Sequence, residues 1–119
     1  MIDNEYNLNY YSKGYLNAWI LFSSMTGVKQ QLEIERKAKV FSLFSDPNRL
    51  KILQFLSRSP AATVSELAQH IEMSIACTSH HLQLLKDNQV LISQRKGNSM
   101  YYQIVTDPLI QQLQAIIVN

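Results

Sequence analysis

Two short amphipathic segments joined by only three residues restrict the folds open to this chain more than any other feature. Thr63 and Glu66 match a capping box, a hydroxyl followed three residues later by an acid. Val64, Leu67, Ala68 and Ile71 then give the i, i+3, i+4, i+7 stripe of a short helix. After the joint Glu72-Met73-Ser74, Ser74 can cap a second helix, predicted over residues 75–88, with Thr78, Leu82 and Leu85 facing inward. Helices joined this tightly cannot lie antiparallel side by side. They cross steeply, as in a helix-turn-helix.

Beyond residue 88 the apolar period drops from 3.6 to 2. Residues 90–95 and 99–105 are rich in β-branched and aromatic side chains, which predicts two strands. Lys96-Gly97-Asn98 between them is a hairpin signal, because Gly and Asn tolerate positive φ. Asp107-Pro108 opens a last helix whose stripe is Leu109, Ile110, Leu113, Ile116 and Ile117. Upstream, Asp46 can cap a helix with Pro47 at its first position and Leu50, Leu53 and Leu56 inward, ending before Ser59-Pro60. Residues 30–44 read as a further helix with Ile34, Ala38, Phe41 and Phe44 on its inner face. Another helix is predicted from about Tyr15 to Met25, set apart from it by Gly27. The predicted fold is mainly α with a small β-hairpin: a winged helix-turn-helix, residues 30–119, behind an aromatic-rich extension, residues 1–29, that is partly helical. The extension holds Tyr6, Tyr10, Tyr11, Tyr15 and the sole tryptophan, Trp19, and reads first as extra packing surface.

Composition narrows the class. The chain has 119 residues, 46% of them hydrophobic and 17% charged, which suits a globular domain and not a disordered tail. The formal charge is only +2, so any basic footprint must come from local placement. The single cysteine, Cys77, excludes an internal disulfide and makes a zinc cluster a poor reading; the expected compartment is the reducing cytoplasm. The longest apolar run near the start, Ala18 to Phe22, falls far short of the ~20 residues of a membrane span, and no signal-peptide pattern surrounds it.

A helix-turn-helix followed by a hairpin is a device for reading duplex DNA: the second helix enters the major groove and the wing touches the flanking backbone. On that reading the second helix offers Ser74, Ala76, Cys77, Ser79, His80 and Gln83, and no acid occurs between Met73 and Lys86. The wing offers Arg95, Lys96 and Asn98, and Thr63 stands at the start of the first helix. Cys77, His80 and His81 are close in sequence. However, adjacent histidines point roughly 100° apart on a helix, so Cys77 can pair well with only one of them. No metal site is expected there. No catalytic residues or cofactor are expected either, since a cysteine–histidine pair would need a pocket and an oxyanion donor on a face built for DNA. Cys77 is also a candidate redox switch. It lies in the first turn of the helix, where oxidation would add bulk or charge at the DNA face. A winged-helix module for protein–protein contact is the alternative function.

The segment Phe44-Ser45-Asp46-Pro47-Asn48-Arg49-Leu50-Lys51-Ile52-Leu53 resembles the "L-S-D-P-T-R-L-x-I-L" stretch of the arsenic- and metal-responsive repressors (ArsR/SmtB type). Glu66-Leu67-Ala68, Met73-Ser74, Ser79-His80-His81-Leu82, Leu85-Lys86-Asp87, Arg95-Lys96-Gly97 and Tyr101-Tyr102 continue the likeness, over about residues 38–105. The resemblance implies a homodimeric winged-helix repressor, joined through its N-terminal and C-terminal helices, that leaves its DNA operator when an effector binds. Where arsenic- and cadmium-type members carry a cysteine pair, this chain has Thr63 and Ser65. Of the other familiar site only Asp107 has a counterpart, because residues 109–119 hold no His, Cys, Asp or Glu. Gln89 stands where the family usually has Gly, so Asn88 is expected to take the left-handed position instead. Asn98 replaces a frequent wing arginine.

Overall fold

The computed structural model describes residues 16–118, with the side chains of residues 16–20 and of Ser23 left aside. Tyr6, Tyr10, Tyr11, Tyr15 and the Trp19 side chain therefore lie outside the described residues. The element order is α1 (Leu16–Phe44), α2 (Pro47–Arg58), β1 (Ala62–Thr63), α3 (Val64–Ile71), α4 (Ile75–Asp87), β2 (Leu91–Lys96), β3 (Ser99–Ile104) and α5 (Pro108–Ile117). No described helix is long and apolar enough to cross a membrane.

The first difference from expectation is α1. It is a single helix of 29 residues, where the sequence suggested two helices separated at Gly27. One exposed glycine costs a helix only about 1 kcal/mol, and no proline interrupts the run, so the flanking residues carry the helix through. The chain divides into two compact units between Ala38 and Lys39. In the first unit, residues 21–38 of α1 are exposed wherever their side chains are described.

The second unit holds one core. Val40, Leu43 and Phe44 come from the end of α1, Ile52, Leu53 and Leu56 from α2, Leu67 and Ile71 from α3, and Leu82 and Leu85 from α4; Ala62, Val90, Leu91 and Ile110 complete it. The expected inner face of residues 30–44 is corrected here: only Phe44 of that set is buried, while Ile34 is 61% and Phe41 52% exposed. Val40, Leu43 and Phe44 share a side at i, i+3 and i+4, and at 3.6 residues per turn Phe41 and Ile34 lie roughly 100° or more round the helix from it. The sequence period was right and its phase was not.

Helix ends follow the capping signals. Asp46 accepts from the backbone N–H groups of Asn48 and Arg49 at 2.8 and 3.1 Å, with Pro47 at the first helical position. Asp107 does the same for Leu109 and Ile110 at 3.0 and 3.3 Å. The last carbonyls of α5 are satisfied by α2, since the Gln54 amide donates to the Ile117 carbonyl at 2.7 Å and Arg58 to that of Val118 at 3.0 Å. Orphan carbonyls at a helix end need such partners, and these fix α5 beside α2.

The sheet has three antiparallel strands in the order β1-β3-β2, so the predicted hairpin gains a short third strand. Ala62 pairs with Tyr102 and Thr63 with Tyr101. A two-residue strand gives no periodic signal, which is why the sequence does not announce it. In the hairpin, Leu91 pairs with Ile104 and Lys96 with Ser99, leaving Gly97-Asn98 as the turn. Gly97 has φ +63° and Asn98 stays at negative φ, the arrangement of a type II′ turn.

Candidate nucleic-acid interface

The turn between α3 and α4 begins at Glu72, which adopts φ 57°, ψ 47°. Its N–H reaches the Gln69 carbonyl, and the Met73 N–H reaches that of Ala68, so the last carbonyls of α3 are closed before the chain turns. Ser74 then caps α4, its hydroxyl accepting from the Cys77 N–H at 3.1 Å. The Ser74 carbonyl accepts from the Thr78 hydroxyl at 2.8 Å, which lets Thr78 be fully buried at no polar cost.

Thr78, Leu82 and Leu85 turn α4 toward the core, and all three are 0% exposed. Ala76, Ser79, His80 and Gln83 are exposed on the opposite side of the helix. Helical periodicity places Cys77 at the edge of that face, on the side of His81. Cys77 is exposed and His81 half-buried. Two features were missed by sequence reasoning. Ile75 is 54% exposed in the first turn, although the inward period would have hidden it. An apolar group there suits the methyl of a thymine. Gln83 donates to the Asp87 carboxylate at 2.7 Å, so the acid one turn beyond the polar face already holds one of its amide protons.

The helix ends in a second left-handed residue. Gln89 has φ 57°, whereas Asn88 sits at φ −103°, ψ 20°. The expectation that Asn88 takes the left-handed position is thus corrected by one residue. The Gln89 N–H bonds to the Lys86 carbonyl at 3.1 Å and the Val90 N–H to that of Leu85 at 2.9 Å, the paired closure of a Schellman motif. Its hydrophobic contact needs residue 90 to be apolar and buried, and Val90 is 0% exposed. That requirement sets the phase and puts Gln89 in the strained place.

Arg95, Lys96 and Asn98 are all exposed at the hairpin tip. Strand alternation sends Arg95 and Lys96 to opposite faces. Arg95 shares its face with Tyr102 and Ile104, which pack on the core. Lys96 lies on the other face, with its ammonium 5.9 Å from the centre of the Tyr101 ring. Thr63 is half-buried at the start of α3. Its hydroxyl accepts from the Glu66 N–H at 3.3 Å and lies 3.2 Å from the Glu66 carboxylate, so this end of α3 carries an acid. Among the described residues no three His, Cys, Asp or Glu side chains gather as a metal-binding group.

Two helices joined by the three residues 72–74, the second with a polar, acid-free face, followed by a cationic two-stranded wing, define a winged helix-turn-helix DNA-binding domain. Comparison with known proteins carries this further. Residues 46–91 match the family described as "Bacterial regulatory protein, arsR family". The chain is 40% identical over 70 residues to the transcriptional repressor SdpR of Bacillus subtilis, covering 59% of this chain and 77% of SdpR. It is 42% identical over 62 residues to the cadmium resistance transcriptional regulatory protein CadC of Listeria innocua, spanning about half of each, 52% and 52%. Among solved structures it is similar to the homodimeric winged helix-turn-helix DNA-binding domain Mb0332 of Mycobacterium bovis, with a TM-score of 0.65 and 25% identity over 74% of this chain and 80% of that one. The chain belongs to the arsR family of bacterial regulatory proteins. The members of that family are transcriptional regulators and not enzymes.

Proposed function

We propose that the chain acts as a homodimeric repressor that reads a near-palindromic DNA operator, with α4 in the major groove and the β2–β3 wing on the backbone. The observation that carries this reading is the two-sidedness of α4. Its Thr78–Leu82–Leu85 side is sealed in the core, and its Ala76–Ser79–His80–Gln83 side is open and free of acids up to Asp87. Ser74 and Cys77 flank that side, Arg95 and Lys96 supply the contacts to phosphate, and Asn98 and Thr63 complete the DNA-facing set. The dimer forms through α1 and α5, in keeping with the apolar groups they leave exposed: Phe41, and Ile116 at 73%. Half-sites then lie about one helical turn apart. The protein works in the cytoplasm, where its operator is.

Neither cadmium nor arsenic controls this repressor, because Thr63 and Ser65 offer hydroxyls where a thiolate pair would be needed. The test selects bound duplexes from a random library, then measures their affinity at two salt concentrations with and without Cd²⁺ or As(III). Sedimentation is run in parallel. A dimer bound to a palindromic duplex, indifferent to both metals, is expected. A monomer, or equal affinity for every sequence, would defeat the reading.

A further inference from the structure

One contact in the second unit belongs neither to the core nor to the DNA-facing side of α4. Arg49, half-buried on the first turn of α2, reaches in two directions. Its Nε donates to the Leu43 carbonyl, in the last turn of α1, at 2.7 Å. Its Nη1 lies 3.3 Å from Nδ1 of His81, on α4. The end of the long helix and the recognition helix are therefore joined through one planar guanidinium.

We propose that Arg49 is a positioning residue that sets α4 for DNA by a hydrogen bond to His81, and that this bond exists only while His81 Nδ1 carries no proton. The inference rests on the DNA-binding reading above. Its chemistry follows from the donor inventory. Guanidinium has no acceptor, so a hydrogen bond at this 3.3 Å contact requires Nδ1 to accept, with the ring proton on Nε2. A proton on Nδ1 removes the acceptor and sets a second positive charge against Arg49. The groups that face His81 are few. Arg49 comes from α2, and the Asp46 carboxylate at the cap of α2 feels the charge of Arg49, and that of His81 only once the ring is protonated. His80 lies beside it on its own helix, ring centres 6.3 Å apart. Asp46 already accepts from the Arg49 and Asn48 backbone N–H groups, so it holds the base of the clamp.

The sign is distinctive. An exposed histidine at a DNA surface gains attraction for phosphate on protonation, so acid should strengthen its binding. His81 acts the other way, because protonation releases the helix that does the reading. A lysine at 49 keeps the charge but cannot span two acceptors with a rigid fork. An asparagine at 81 can offer its carbonyl oxygen close to where Nδ1 stands, and it does not titrate.

The experiment measures affinity, between pH 7.5 and 5.5, in a His80→Gln background that removes the other histidine of α4, for a duplex selected by that His80→Gln protein itself. Urea unfolding of every variant is recorded at both ends of the range. With His81 present, affinity is expected to fall by about 10-fold toward pH 5.5. Adding His81→Asn should flatten the profile while keeping the affinity at pH 7.5. Arg49→Lys should bind more weakly at pH 7.5 and also be flat, while still unfolding cooperatively. A His81→Asn profile parallel to that of its parent would overturn the proposal, since a merely structural histidine would lower affinity without changing its pH dependence. Nitrogen-15 spectra of the imidazole read the contact without DNA: Nε2–H with bare Nδ1 supports it, and Nδ1–H refutes it. Failure of the wild type to bind any selected duplex would instead sink the DNA reading.

Discussion

Gln89 adopts φ 57° just beyond the recognition helix, and replacing it by glycine should stabilise the protein. A side chain with a Cβ in the left-handed region costs roughly 1–2 kcal/mol. Glycine returns part of that through the larger freedom of its unfolded chain, roughly 0.5–1 kcal/mol. The Gln89 amide also donates to the Asp87 carbonyl at 3.0 Å, an exposed bond whose loss costs little. The net gain should be roughly 0.5–1 kcal/mol, a rise in Tm of about 2–6 °C for a domain of this size. Asn88→Gly should do the opposite. Asn88 has an ordinary negative φ, and its amide donates to the Leu84 carbonyl at 2.8 Å in a part-buried bond. Losing that bond and adding glycine freedom should cost about 1–2 kcal/mol. Urea unfolding at one fixed protein concentration measures both variants, with an unchanged m-value required for the comparison. A stabilised Asn88→Gly beside an unimproved Gln89→Gly would place the left-handed residue at 88 and refute the reasoning.

Other expectations are shorter. Burial of the Asp46 carboxyl works to raise its pKa, but the N–H groups of Arg49 and Asn48 and the charges of Arg49 and His81 prevail and hold it below the ordinary value. Its stabilisation is therefore complete above about pH 4 and lost as pH falls through the lowered value, so Asp46→Asn should flatten the acid limb of the stability curve; an identical limb would count against it. Gly27→Ala should raise α1 helicity and stability by about 0.5–1 kcal/mol, because a Cβ there meets nothing within 4 Å; circular dichroism and urea unfolding check this. Arg95→Ala and Lys96→Ala should each weaken binding to all duplexes and lower the salt slope by about one unit. Ser79→Ala, His80→Ala and Gln83→Ala should instead relax sequence preference by about 1–3 kcal/mol at a base position, which competition between duplexes will show. Peroxide should lower the DNA affinity of wild type reversibly and leave Cys77→Ser unchanged; equal affinities would reduce Cys77 to a groove-fitting residue.

What the sequence made legible is what depends on neighbours along the chain. The caps at Asp46, Thr63, Ser74 and Asp107 each need one oxygen two or three residues ahead of free N–H groups, and all four form. The Thr78–Leu82–Leu85 side of α4 and the turn at Gly97 are equally local. The errors fall where a distant partner decides. Ile34 and Phe41 satisfy a helical period, but the rotation of α1 is set by what Val40, Leu43 and Phe44 meet across the core. Strand β1 exists only because β3 offers Tyr101 and Tyr102 to pair with. The Arg49–His81 contact spans 32 residues and has no local signature.

Both ends of the region that would read DNA are bounded by left-handed residues that are not glycine, Glu72 before α4 and Gln89 after it. Each follows from the same conflict. A buried residue has to arrive at a fixed place immediately after the turn: Val90 is sealed in the core, and Met73 packs against it. The helices on the near side, α3 and α4, are held by Leu67, Ile71, Leu82 and Leu85. With both sides pinned, the residue between must take the left-handed conformation whatever its side chain. Such strain persists only where the surroundings over-determine it. The setting of α4 is thus imposed from four sides: two closed helix ends, a buried face and the Arg49 clamp. A helix held this way arrives at the groove already oriented, and its binding energy is not consumed in ordering it.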